Sequence, residues 1–72
     1  MAEKEKINRI KVVLAEKEFS QKELAQKLDV TPVTVNRMCK NETQPSLQQL
    51  KRIAFILDVD IKDLLYSTKK KD

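Results

Sequence analysis

An all-α fold of five helices is predicted by three features of this sequence. Apolar residues recur at three- and four-residue steps along most of the chain, and no stretch alternates as a half-buried strand would. Helix-start signals stand ahead of those runs: Ser20 with Glu23, Thr31 with Pro32, Ser46 with Gln49, and Asp60. No repeat or long linker interrupts the 72 residues, so one small domain is expected.

The first helix is expected over residues 3–18, with Ile7, Ile10, Val13 and Leu14 on one stripe and lysines and glutamates opposite. Ser20 and Glu23 form a capping box for the second helix, whose buried face is Leu24, Ala25 and Leu28. The break that follows is only a few residues long, and the chain contains no glycine. Asp29 must then take the left-handed conformation that glycine usually supplies after a helix. Thr31 caps the third helix with Pro32 at its first position, where proline lacks only an N–H that would be unpaired anyway. Its inner face is Val35, Met38 and Cys39, and Asn41 ends it in the same left-handed way. Pro45 breaks the chain, Ser46 and Gln49 form a second capping box, and Leu47, Leu50, Ile53, Ala54 and Leu57 are the expected core stripe of the fourth helix. Ile56 lies at the core edge and Phe55 off the stripe. Asp60 caps a fifth helix bearing Ile61, Leu64 and Leu65. The domain is expected to occupy residues 1–66, with residues 67–72 a solvated basic tail holding Lys69, Lys70 and Lys71.

Composition narrows the function. There is no histidine and one cysteine, Cys39, so a zinc site and a Ser-His or Cys-His nucleophile are not expected. Without glycine there is no Gly-rich phosphate loop. An enzyme is not expected, nor a cofactor, a metal or a small-molecule effector. No apolar run approaches the roughly 18–20 residues that span a bilayer, and the charged start has no signal-peptide core, so a cytoplasmic protein is expected. The net charge of +4 is modest, but its placement is informative: Arg37 and Lys40 are the only charges between Pro32 and Asn41.

Two short helices joined by a tight turn, the second with a polar and cationic outer face, suit the major groove of DNA. That outer face carries Pro32, Val33, Thr34, Asn36, Arg37 and Lys40. Arginine pairs with guanine, asparagine with adenine, and an apolar group touches a thymine methyl. Gln21, in the first turn of the second helix, is suited to a phosphate. Cys39 reads as a packing residue rather than a reactive thiol.

From residue 20 to residue 65 the chain resembles the Cro/repressor-type helix-turn-helix family, the XRE family. The stretches that carry the likeness are "SQKELAQKL", "VTPVTVNRM" and "QPSLQQLKRIAFILDVDIKDLL". The resemblance implies a five-helix, lambda-repressor-like fold with helices two and three as the helix-turn-helix. It implies a sequence-specific binder of double-stranded DNA, a transcriptional regulator of repressor type that usually works as a homodimer. By position, Pro32, Val33, Asn36 and Arg37 fall where the family reads bases. Gln21, Thr31, Thr34, Lys40, Asn41 and Thr43 fall where it grips phosphates. The chain departs from the family in having Asp29 and Asn41 where glycine is frequent. It also has Leu14 and Cys39 where many members carry an arginine–glutamate pair, so these two are expected to be buried against each other. A dimer contact is expected around Phe55, Asp58, Val59, Asp60 and Tyr66, since Phe55 is apolar and off the core stripe. The alternative is a protein-binding helical module, such as an antitoxin-like partner.

Overall fold

The backbone of residues 6–67 is described by a computed structural model. It contains α1 (Ile10–Glu16), α2 (Gln21–Leu28), α3 (Pro32–Cys39), α4 (Leu47–Leu57) and a final 3-10 turn (Ile61–Leu64). The expected starts are made by the expected side chains. Ser20 Oγ accepts from the Glu23 N–H at 2.9 Å, and Glu23 Oε1 accepts from the Ser20 N–H at 3.0 Å. Ser46 and Gln49 repeat the arrangement at 3.1 and 3.0 Å. Thr31 Oγ1 accepts from the Thr34 N–H at 3.2 Å, with Pro32 in the first turn. Each device satisfies backbone donors that a helix start otherwise leaves unpaired.

The helix ends share one geometry. Glu18, Asp29, Asn41 and Asp58 all have positive φ, between 55° and 62°. The next residue in each case donates its N–H to the carbonyl five positions back: Phe19 to Leu14, Val30 to Ala25, Glu42 to Arg37 and Val59 to Ala54. This is the Schellman arrangement, made here four times without glycine. Asp29 and Asn41 behave as the sequence predicts. Glu18 and Asp58 are further left-handed residues that it did not single out.

The first helix is shorter than expected. Its predicted start, residues 3–5, lies outside the described residues, as does the tail from residue 68. Residues 7–9 are not helical, because they pair instead with residues 64–66. Arg9 N–H donates to the Leu64 carbonyl at 2.8 Å, and Tyr66 N–H to the Ile7 carbonyl at 2.9 Å. Ile7 therefore leaves the apolar stripe and is exposed. The same pairing stops the fifth helix after one 3-10 turn: Leu65 is extended, at φ −125° and ψ 149°.

Burial follows the helical stripes, with Ile10, Val13 and Leu14 from α1, Leu24, Ala25 and Leu28 from α2, and Val35, Met38 and Cys39 from α3. Leu50, Ile53, Ala54 and Leu57 from α4 and Leu64 complete one cluster. Leu14 and Cys39 both belong to the buried cluster. Burial pushes the Cys39 thiol pKa up, and Lys11 opposes this more weakly, so the thiol stays protonated at neutral pH. A second burial expectation fails, after that for Ile7. Leu47 is 81% exposed, because it opens α4 outside the core while Pro45, just before it, is buried.

One buried residue is polar. Asn8 is 1% exposed and has every amide atom bonded. Its Nδ2 donates to the Met38 carbonyl at 3.0 Å and to Gln44 Oε1 at 2.7 Å, and its Oδ1 accepts from the Ile10 N–H at 3.1 Å. Asn41 Oδ1 accepts from the N–H groups of Ile7 and Asn8, both at 2.9 Å, and from Gln44 Nε2 at 3.1 Å. Asn41 Nδ2 returns a bond to the Asn8 carbonyl at 3.1 Å.

Asp29 and Asn41 share a backbone conformation but not a side-chain task, and glycine separates the two. Asp29 is exposed and sets a negative charge at the C-terminal end of α2, where a helix disfavours it. Asp29→Gly should raise stability by up to about 1 kcal/mol. Asn41→Gly keeps the turn but leaves the part-buried Asn8 N–H and carbonyl without their partners, and should cost about 1 kcal/mol or more. Urea denaturation of both variants checks this; equal shifts would show that Asn41 acts only through its backbone.

Candidate nucleic-acid interface

Three residues, Asp29 to Thr31, join α2 to α3. Asp29 turns the chain, the half-buried Val30 packs on the core, and Thr31 caps the next helix. The inner faces of both helices are buried in the common cluster, which fixes the outer face of α3 relative to the start of α2.

That outer face holds the residues singled out from the sequence. Thr31, Pro32, Val33, Arg37 and Lys40 are exposed, and Thr34 and Asn36 half-buried. Val33 is 60% exposed, so its methyl groups are open to a partner. Thr43 is exposed in the loop after α3. Among residues 31–41 Arg37 and Lys40 are the only charges, so the face is positive.

Several of these side chains already have work within the fold. Asn36 Nδ2 donates to Gln21 Oε1 at 3.1 Å, linking α3 to the first turn of α2. This leaves Gln21 its amide donors and leaves Asn36 its Oδ1 and second N–H, the pair that a two-point contact to adenine uses. The Thr31 and Thr34 hydroxyls share a hydrogen bond of 2.9 Å. Asn41 is committed most heavily. Its oxygen accepts three bonds, so only its second amide N–H remains for an outside acceptor.

The expected dimer residues are more scattered. Phe55, 87% exposed, lines a groove with Lys27, Lys51, Arg52 and the half-buried Ile56, and Arg52 Nη2 donates to the Lys27 carbonyl there at 3.3 Å. Asp58 is the left-handed end of α4, Val59 packs on the core, and Asp60 caps the 3-10 turn. Tyr66 lines a different cleft, beside Arg9 and Lys40. Sequence reasoning missed Asn8 and Gln44. The local signal for Asn8 was its place two residues before Ile10, since asparagine favours helix starts; nothing local pointed to Gln44. Among the described residues no group of histidine, cysteine or acid side chains could hold a metal, and no helix is long and apolar enough to cross a membrane.

A short helix crossing behind a second one with an exposed cationic face, both packed on a helical core, defines a helix-turn-helix domain. Residues 9–70 match the family described as the Cro/C1-type HTH DNA-binding domain, and the chain belongs to that family. It is similar in structure to a candidate DNA-binding protein from Bacteroides fragilis, with TM-score 0.82, 43% identity, and coverage of 83% of this chain and 97% of the other. The N-terminal DNA-binding domain of SinR from Bacillus subtilis is similar with TM-score 0.69 and 33% identity over 86% of this chain and 91% of that one. The SOS-response transcriptional repressor LexA from Eubacterium rectale gives TM-score 0.73 and 25% identity over 89% of this chain and 68% of that one. None of the curated proteins compared matches the chain.

The Gln21–Asn36 bond makes these two side chains one unit. On a duplex that the protein binds, Gln21→Ala and Asn36→Ala should each weaken affinity, and the double variant should lose less than the sum, with a coupling of about 1 kcal/mol. Strict additivity in the double-mutant cycle would show that the bond has no part in binding.

Proposed function

We propose that this chain is a cytoplasmic, repressor-like transcriptional regulator that binds specific double-stranded DNA sites by setting α3 in the major groove. The observation that carries the reading is the outer face of α3: exposed, free of acids, and tied to α2 through Asn36 and Gln21. Arg37 takes guanine, Asn36 adenine, and Pro32 and Val33 the methyl of thymine. Gln21, Thr31, Thr34, Lys40 and Thr43 grip phosphates, and Asn41 adds its one remaining N–H. The likeness to the DNA-binding domain of SinR and to the repressor LexA supports this reading.

The chain acts as a homodimer, formed on DNA if not before it, through the surface around Phe55, Asp58, Val59, Asp60 and Tyr66. A single domain covers a short site, and a two-fold pair doubles it. The exposure of Phe55 supports this, and it is also the one observation that favours the second reading, an antitoxin-like protein partner. Retention on heparin that falls steeply with salt would favour the first reading over the second.

Selection of bound duplexes from a random pool tests the proposal. The expected product is a palindrome with half-sites about one helical turn apart. On that site Arg37→Ala should cost about 1–3 kcal/mol and relax one base pair, and Lys40→Ala should weaken all sequences alike. Enrichment of no sequence, or an Arg37→Ala variant that binds as wild type does, would overturn it.

A further inference from the structure

The cleft between α1 and the end of α3 carries a charge pattern that the helix-turn-helix does not explain. Lys6, Arg9, Lys11 and Lys40 line it, together with Asn8, Val12, Cys39, Asn41 and Tyr66. None of its lining residues is Asp or Glu. The four cations come from three separate parts of the chain: the N-terminal segment, α1 and the end of α3. Bringing like charges together costs free energy, and an anion between them reverses the sign of that interaction. Arg9 is partly satisfied within the fold, with Nη1 donating to the Asp63 carbonyl at 3.0 Å and Nη2 lying 3.8 Å from Glu16. Lys6, Lys11 and Lys40 are then the ammonium groups best suited to an outside anion.

These charges are not loosely held. The bonds from the Ile7 and Asn8 N–H groups to Asn41 fasten the segment carrying Lys6 and Arg9 to the residue just after Lys40. The cleft therefore keeps a set position relative to the reading helix, and Lys40 belongs to both surfaces.

We infer that this cleft seats a phosphate of the DNA backbone, gripped by Lys6 and Lys11 with Lys40, so that the contact with the duplex extends beyond the helix-turn-helix onto α1 and the N-terminal segment. The inference rests on the proposed DNA binding. Backbone phosphate is favoured over a free anion because Lys40 lies at the end of the face that enters the groove, where the strand must pass. Such a contact is blind to sequence and sensitive to salt.

The test is equilibrium binding to the selected duplex and to a scrambled one across a series of salt concentrations. Lys6→Gln and Lys11→Gln are compared with wild type and with Lys17→Gln, which removes an exposed charge at the far end of α1, outside the cleft. Each of the first two should weaken both duplexes by a similar factor and shallow the slope of log affinity against log salt by about one. Lys17→Gln should leave the slope unchanged. Wild-type binding with slopes that Lys6→Gln and Lys11→Gln leave unaltered overturns the cleft contact alone. Failure of the wild type to bind either duplex overturns the DNA-binding reading and this inference with it. Inorganic phosphate supplies the second measurement. Saturable amide shifts at Lys11 and Lys40 at low millimolar phosphate, with unchanged DNA slopes in the variants, would assign the cleft to a free anion instead.

Discussion

Asn8 and Asn41 grip each other through side-chain amide and backbone groups, and the placement of α3 depends on that grip. Asn41 sits just past the end of α3, and Asn8 just before α1. Between them they tie Ile7, the start of α1 at Ile10, the last turn of α3 and Gln44 into one hydrogen-bonded unit. The pairing of Asn8 with Leu65 adds the C-terminal strand-like segment. A buried amide without partners costs about 1–3 kcal/mol, so the network favours one geometry only when all its members are in place. A core of this size has little stability in reserve, which makes such a unit consequential.

The same residue explains an apparent economy in the chain. Glycine would give Asn41 its left-handed backbone more easily, but it would bring no amide. At Asp29 and Asp58 no such second task is visible, and aspartate is a tolerated substitute. Glu18 has neither glycine's freedom nor the short side chain of aspartate or asparagine, and we have no physical account of its selection. All four ends are closed by the same pair of backbone bonds, so short helices can follow one another closely. That closeness brings Gln21 within 3.1 Å of Asn36 across the turn.

What was legible in the sequence was local. Capping boxes, a Thr-Pro start and a left-handed Asp29 are each decided within four or five residues, and each stands as read. The ends of the domain were not legible in the same way. Nothing within residues 3–18 says that Ile7 should leave the helix; that is decided by a pairing with residues more than fifty positions away. Leu47 fits the periodic stripe, yet periodicity cannot say where the core stops. The outer face of α3 could be read from spacing and from the family likeness. Which of its polar atoms were already taken could not, since the partners of Asn36 and Asn41 lie on other elements.

The amide grip orders the N-terminal segment against the end of α3. Amide hydrogen exchange on the free protein tests it most directly. The N–H groups of Ile7 and Asn8 both end on Asn41 Oδ1 at 2.9 Å, although Ile7 itself is exposed. The account predicts that both are protected to a degree comparable with the buried turns of α2 and α3, and that an Asn41→Ala variant loses this protection while the α2 amides keep theirs. Exchange of Ile7 and Asn8 at the rate of an unstructured chain in the wild-type protein would contradict it.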